Sequence, residues 1–267
     1  MTTATWSGDQ ASCSAGSFDA ASHARAIAVV NMYRFLANVP EVVDEPAWYD
    51  AAQACALLAD ANGQLSHEPP SDWACYSDLG AQASAVSLIA NRSAAQAVDP
   101  FVEDSGNEGT MVHRRWLLSD KIDRLAFGST NKFSCAIVDG RNFDGPEQTK
   151  AAAEREKKKK NKDAFSWSAW PPSGPVPIEA LQKTNVDITG WTVQSSTHSL
   201  DNATATITLD GEYLPIQIVT LAGALGSLSA ITIVPQGWTV QADKTYFVHV
   251  DSGAAVVDFA VEPTTCQ

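Results

Sequence analysis

The chain has 267 residues, of which 45% are hydrophobic and 18% charged, and this composition excludes a disordered chain, a coiled coil and a collagen-like rod. Its formal net charge of −13 argues against nucleic-acid binding, because an acidic surface repels phosphate backbones. No apolar run reaches the roughly 18 residues that a membrane-spanning helix needs, so the sequence predicts no transmembrane segment.

The charge is unevenly distributed along the chain. Residues 150–162 contain seven basic and two acidic side chains, which leaves the rest of the chain with a net charge of −18. We interpret this lysine-rich segment as a solvated insertion on the surface, with contact to an anionic polymer or membrane as the alternative. It contains no aromatic residue, so single-stranded nucleic acid is not an expected partner.

Helical periodicity dominates the first part of the chain, and two short apolar runs follow it. The predicted helices are Ser22–Ala37, a segment from a cap at Asp44 to Asn62, Gln82–Ala90, Ser93–Val102 and Met111–Leu118. The predicted strands are Leu125–Gly128 and Phe133–Val138. This part is therefore expected to mix α-helices with a β-sheet.

Proline-rich and β-branched sequence marks a second part. Residues 169–178 are predicted to be an extended linker. The strands predicted after it are Val186–Val193, Thr204–Leu209, Leu214–Val219, Ala230–Val234, Thr245–Val250 and Val256–Val261. Six strands in about 95 residues are typical of an immunoglobulin-like β-sandwich. The expected domains are thus residues 1–168, with the lysine-rich segment as an insertion, and residues 179–267.

Disulfides between the cysteines are expected only if the protein is in an oxidising compartment. No CxxC pair and no zinc-ligand spacing occurs among Cys13, Cys55, Cys75, Cys135 and Cys266, so disulfides are more plausible than a structural zinc site. The preferred bridge is Cys55–Cys75, which closes a loop of about 20 residues. The pairing of the other three remains open.

The protein is expected to be secreted. Lysine is scarce outside the lysine-rich segment, and the chain starts with Ser, Thr, Ala and Gly. Residues 1–20 lack the basic and apolar regions of a signal peptide, so either a leader has been removed, which we favour, or the protein is cytosolic.

Two of the five histidines stand near carboxylates. These histidines are His67 and His113, and the carboxylates are Glu68, Glu103, Asp104 and Glu108. Two histidines with a carboxylate are able to hold Zn²⁺ with an open position or to form an acid–base pair, provided that the fold brings them together. His23, His198 and His249 are predicted to be structural or exposed.

No nucleophile motif accompanies them. The chain contains no GxSxG, HExxH, P-loop or GxGxxG motif, and its cysteines are interpreted as structural rather than reactive.

Several motifs nevertheless resemble one family in order and spacing. The motif Asn31-Met32-Tyr33-Arg34 resembles the N-x-Y-R signature of the CAP superfamily, the cysteine-rich secretory, antigen-five and pathogenesis-related proteins with an SCP domain. The segments 63–67, 111–118 and 126–128 are similar to its two histidine motifs and to the turn entering its central sheet. The resemblance covers about residues 20–167, and the Pro-rich segment with following strands is similar to secreted bacterial members that carry a C-terminal β-domain.

The resemblance implies an α-β-α sandwich with a central cleft of two histidines and two acidic residues that bind zinc or another divalent cation. His67 and His113 match the histidines, and Glu103 or Asp104 matches the later acid. The earlier acid of the family's Gly-Glu-Asn motif is replaced here by an apolar residue, Val86. This departure weakens the expectation of metal binding and of catalysis.

The sequence thus favours a secreted, non-enzymatic CAP protein that binds a lipid, a cell-wall component or another protein. One alternative is a metal-dependent hydrolase or protease that uses His67 and His113. The other is a surface adhesion protein that acts through its β-sandwich.

Overall fold

The computed structural model describes residues 6–150 and 166–265. The lysine-rich segment after Lys150 and Cys266 lie outside the described residues. The chain divides into two units, each assembled from separate stretches. The first unit comprises residues 1–31, 42–98 and 122–163, and the second comprises residues 32–41, 99–121 and 164–267.

The part of the chain before residue 150 mixes helices and strands, as predicted. Its helices are α1 (Ala20–Leu36), α2 (Tyr49–Asn62), α3 (Asp78–Ala85), α4 (Ala94–Glu103) and α5 (Val112–Leu117). Its strands are β1 (Val43–Asp44), β2 (Ser87–Ala90), β3 (Arg124–Ser129) and β4 (Ser134–Ile137), and short 3₁₀ turns cover Pro46–Trp48 and Arg141–Phe143. The helix predicted over 82–90 is wrong in its second half, which forms β2, because a short apolar run fits a buried strand as well as a helix.

The first unit is built on a four-stranded sheet in the order β1-β3-β4-β2, with β1 parallel to β3 and the other pairs antiparallel. Helix α2 packs on this sheet and ends where Gly63 takes a left-handed conformation (φ 62°). Gly128 allows β3 to lie close to α2, because a Cβ atom at this position would be 2.1 Å from the backbone of Ala52 on α2.

Two disulfides cross-link the first unit. Cys55 on α2 is bonded to Cys135 on β4, and Cys13 is bonded to Cys75. The predicted Cys55–Cys75 bridge is therefore wrong. The prediction fails because the Cys55 side chain lies on the buried side of α2 and faces the sheet. There it meets Cys135 on β4, which is distant in sequence. The two bonds indicate an oxidising environment of the extracellular type.

The second part of the chain is rich in strands. Its elements are β5 (Trp167–Trp170), β6 (Gly174–Pro177), α6 (Ile178–Lys183), α7 (Val186–Thr189), β7 (Trp191–Ser195), β8 (Thr204–Leu209), β9 (Glu212–Tyr213), β10 (Ile216–Thr220), β11 (Ser229–Pro235), β12 (Tyr246–Asp251) and β13 (Val256–Thr264). The strand predicted over 186–193 is wrong at its start, which forms α7, so that β-branched composition misled the prediction there.

The strands of the second unit form two sheets. One has four strands in the order β10-β11-β7-β5, and the other has five in the order β6-β13-β12-β8-β9. Aromatic rings join the facing sides: Trp191 contacts Tyr246 at 5.7 Å between ring centroids, and Trp167 contacts Phe259 at 5.2 Å. The hydrophobic core of this unit therefore lies between the two sheets.

Residues 169–178, predicted to be a linker, contain the end of β5 and all of β6. Strand β6 carries Pro175 and Pro177 and pairs in parallel with β13 at the edge of the five-stranded sheet. Proline is tolerated there because an edge strand leaves one side of its backbone unpaired. Composition alone therefore does not separate such a strand from a linker.

The two sheets of the second unit differ in how they are covered. Every residue of β7 is buried, because its two faces both have neighbours. Trp191 faces the five-stranded sheet. On the other face of β7, the Thr192 hydroxyl accepts a hydrogen bond from Arg114, and the Gln194 side chain donates one to the carbonyl oxygen of Leu118. In β12, buried residues alternate with exposed ones, so the outer face of the five-stranded sheet is open to solvent.

Candidate functional site

His113 and Asp104 form a close pair in the second unit. The Nδ1–H group of His113 donates to Asp104 Oδ1 at 2.8 Å, and the Asp104 side chain is completely buried while that of His113 is 18% exposed. Because an ionised carboxylate only accepts, the proton of this bond lies on Nδ1. When the His113 imidazole is neutral, Nε2 is therefore its basic nitrogen, the arrangement found in histidines that bind metals or act as general bases.

The local backbone fixes the carboxylate of this pair. Asp104 follows α4 with a left-handed conformation (φ 60°), and its Oδ2 atom accepts from the backbone N–H groups of His113 and Arg114 at 2.9 and 3.1 Å. Asn107 Nδ2 donates to Asp104 Oδ1 at 2.9 Å. Asp104 therefore caps the start of α5 and orients the histidine on it at the same time.

The other two predicted acids near His113 form hydrogen bonds with residues two positions away in sequence. Glu103 accepts from the hydroxyl of Ser105, and Glu108 accepts from the backbone N–H of Gly106. The backbone bonds lower the pKa of Glu108. Of the acids that the sequence placed here, Asp104 is thus the one that the fold brings to His113.

His67 belongs to the first unit. Its Nδ1–H group donates to the carbonyl oxygen of Ser84 at 2.9 Å, and its side chain is exposed. Val86 caps α3 and packs against the hydrophobic core of this unit. Among the residues that the structure describes, no group of three or more His, Cys, Asp or Glu side chains is placed to hold a metal ion.

The N-x-Y-R motif has a structural role that the sequence did not reveal. Asn31 makes two 2.9 Å hydrogen bonds with the backbone of Val42 in the first unit. In the second unit, Tyr33 donates to Asp99 at 2.7 Å, and Arg34 donates to the carbonyl oxygens of Pro40, Leu117 and Ser119. The motif therefore holds loops in place and supplies no reactive group.

An open hollow of about 560 Å³ lies on the outer face of the five-stranded sheet. Strand register arranges its lining in two rows. The first row runs across β9, β8, β12 and β13 and consists of Tyr213, Thr208, Phe247 and Ala260. The second row runs beside it across β8, β12 and β13 and consists of Thr206, His249 and Asp258. We call these the aromatic row and the polar row.

The aromatic row exposes apolar surface where a solvated sheet usually carries polar side chains. Tyr213 is 74% exposed and Phe247 is 58% exposed, although both lie at outward positions of paired strands. In the polar row, His249 Nδ1–H donates to Asp258 Oδ1 at 2.7 Å, with both side chains accessible. Exposed aromatic rings beside fixed polar groups are typical of a ligand-binding surface.

Sequence reasoning missed this hollow and interpreted His249 as structural or exposed. A signal was present, since the alternation in Tyr246-Phe247-Val248-His249-Val250 places a phenylalanine on the same side as a histidine. The rest of the lining comes from three other strands, and their register was needed to assemble it.

Comparisons with known proteins give no match for the chain, whether to a family model, a curated protein or a solved structure. Among the residues that the structure describes, no helix is both long and apolar enough to cross a membrane.

Proposed function

We propose that this chain is a secreted, non-enzymatic binding protein whose ligand binds in the hollow on the outer face of the five-stranded sheet. The observation that carries the proposal is the pair of exposed aromatic rings, Tyr213 and Phe247, in one cross-strand row beside the His249–Asp258 pair. The two disulfides support an extracellular location. The absence of a nucleophile motif from the sequence supports binding rather than catalysis.

We also propose that the first part of the chain is a CAP-like α-β-α sandwich and the second an immunoglobulin-like sandwich. The order α1, β1, α2, α3, β2, α4, α5, β3, β4 supports the first assignment, because the motif histidines follow α2 and lie at the start of α5 as the resemblance implies. Two sheets joined by aromatic contacts support the second.

The test of the binding proposal compares three classes of extracellular ligand on the full chain: cell-wall polysaccharides, phospholipid vesicles and an immobilised peptide library. We expect binding to at least one class and its loss in the double variant Tyr213→Asp/Phe247→Asp. His67→Ala and His113→Ala are the controls, and both are expected to retain binding. Binding that the double variant leaves unchanged, or no binding to any class, would reject the hollow as the site.

A metal-dependent hydrolase is the second candidate, and the contact between Asp104 and His113 favours it. This function predicts that the chain takes up Zn²⁺ and hydrolyses a member of a peptide, ester and glycan panel, with activity lost in His67→Ala, His113→Ala and Asp104→Asn. Elemental analysis of protein purified without chelator, together with the panel, decides between the candidates. A protein that contains no metal and hydrolyses no member of the panel would reject the hydrolase, and the binding function would be the remaining candidate.

A further inference from the structure

We infer that the ligand of the hollow is a neutral oligosaccharide that stacks on Tyr213 and Phe247 and donates and accepts hydrogen bonds at the polar row. This inference rests on the proposed binding function and names the chemical class of its ligand. It is carried by the layout of the two rows, which offers a rigid sheet surface with apolar rings on one line and hydrogen-bonding groups on the next.

A sugar ring matches this mixture of groups. One face of a pyranose carries slightly positive C–H groups, which pack on the negative π face of an aromatic ring, while its edge carries hydroxyls. Successive outward residues of a strand are about 6.6–6.8 Å apart, so the two rows are neighbours at about that distance. A ring stacked on Phe247 therefore directs its hydroxyls to His249 and Asp258 in the adjacent row.

The polar row provides both kinds of hydrogen-bonding partner. Asp258 accepts hydrogen bonds through its carboxylate, and its bond to His249 Nδ1 leaves the second carboxylate oxygen for a ligand hydroxyl. The hydroxyl of Thr206 both donates and accepts, and its strand register places it beside His249. Sugar hydroxyls also both donate and accept, so they are complementary to this row.

The spacing of the two aromatic residues sets the length of the ligand. Tyr213 and Phe247 stand in the same row on β9 and β12, with β8 between them. Two strand intervals correspond to about 9.4–9.8 Å, which is wider than one sugar ring. A ligand that contacts both rings therefore contains at least two sugar residues.

Other ligand classes fit the hollow less well. An acyl chain requires an apolar enclosure, whereas this hollow is open and four of its nine lining residues are Thr, His or Asp. A peptide that extends a sheet requires a free backbone edge, but β8, β12 and β13 are each paired on both sides, and the edge strand β9 has only two residues. The net charge of −13 and the carboxylate of Asp258 disfavour a phosphate-rich polymer.

The test measures binding of the full chain by titration calorimetry to four probes: the β-1,4-linked tetramers of glucose and of N-acetylglucosamine, and the two corresponding monosaccharides. We expect at least one tetramer to bind at least tenfold more tightly than its monosaccharide. Tyr213→Ala and Phe247→Ala are each expected to weaken that binding at least tenfold. Phe247→Trp, which keeps an aromatic face, is expected to retain affinity within about threefold.

Matched control variants separate the loss of ring stacking from a general loss of folded structure. Phe35 is an exposed aromatic residue on α1, and Val256 is an exposed apolar residue on β13 that does not line the hollow. Phe35→Ala and Val256→Ala are expected to bind within twofold of the wild type. Circular dichroism of every variant checks that the fold is retained.

The possible outcomes separate a failure of the glycan inference from a failure of the hollow as the binding site. If neither tetramer binds, or if Tyr213→Ala and Phe247→Ala bind like the wild type, the glycan inference is wrong. If vesicles or peptides bind instead and the double variant Tyr213→Asp/Phe247→Asp abolishes that binding, the hollow remains the binding site and only its ligand class is overturned. If nothing binds, the proposed function fails together with the inference.

Discussion

The two units of this protein are stabilised by different chemistry. Two disulfides cross-link the first unit, and one of them, Cys55–Cys135, joins α2 to the sheet in the core. The described part of the second unit contains no cysteine and buries three arginines, Arg34, Arg114 and Arg115, whereas the first unit buries one, Arg124. The comparison teaches that one chain fixes contacts between residues distant in sequence both by covalent bonds and by buried, hydrogen-bonded guanidinium groups.

Arg114 shows how the second strategy works. Its side chain is buried, and it donates hydrogen bonds to the hydroxyls of Thr189 and Thr192 and to the carbonyl oxygens of Val102, Glu103 and Gly190. Burial lowers its pKa to about 10, so the group remains charged at neutral pH, and the nearby Asp104 carboxylate opposes the shift. A guanidinium has five N–H donors, and this arrangement uses all of them.

Removal of the core disulfide should have the largest effect. The variant Cys55→Ala/Cys135→Ala releases a cross-link between residues 80 positions apart, for which the chain-entropy model gives a loss of about 4 kcal/mol in the free energy of unfolding. Urea unfolding, monitored by hydrogen exchange, should show a loss of protection in peptides of α2 and β4. Equal loss of protection in peptides of β7 would contradict the division of roles between the two units.

Removal of the Arg114 guanidinium should come next. Arg114→Met leaves several buried oxygens without a donor, and we expect a loss of about 3 kcal/mol that appears in peptides of α5 and β7. Arg141, which is exposed and bonded to Asp139, provides the control. Arg141→Met should change the free energy of unfolding by less than about 0.5 kcal/mol, and a similar cost for both variants would refute the role of burial.

A third experiment uses two neighbours on opposite faces of β12. Val248 faces the core, and Val248→Ala should cost about 2 kcal/mol because it removes buried apolar surface. Phe247 faces the hollow, and Phe247→Ala should change the free energy of unfolding by less than about 0.5 kcal/mol. Thermal and urea unfolding measure both, and a large cost for Phe247→Ala would mean that this ring serves stability rather than binding.

The smallest expected effect is a pH dependence confined to the first unit. Burial lowers the pKa of His23 below its usual value near 6.5, although the charges of Asp44 and Asp19 oppose the shift. The unfolded chain then binds more protons than the folded unit, so stability falls as the pH drops below about 6.5. Urea midpoints between pH 7.5 and 5 should decrease for the first unit, and His23→Gln should flatten this dependence.

Local pattern predicted much of the secondary structure. Helical spacing of apolar residues placed α1, and Asn62-Gly63 marked the end of α2 where the structure has a left-handed glycine. Strand β8 has the predicted bounds, Thr204–Leu209. These features depend on neighbours in sequence, so the sequence carries the information for them.

Features that depend on register or distant partners were not predictable. The pairing of Cys55 with Cys135 requires the packing of α2 on β4, and the two rows of the hollow require the alignment of four strands. Asp104 was a candidate because it is close to His113 in sequence, but only its left-handed backbone distinguishes it from Glu103.

The second unit is assembled from three separate stretches of the chain, and this affects how a gene can encode it. Its α5 segment, which carries Arg114 and Arg115, is encoded well before its strands, and their bonds to Thr192 and Ser227 span 78 and 112 residues. A gene fragment for residues 179–267 therefore omits both the arginines and two strands, so it does not specify this unit. Recombination that transfers the second unit would therefore have to carry residues 32–41 and 99–121 together with residues 164–267.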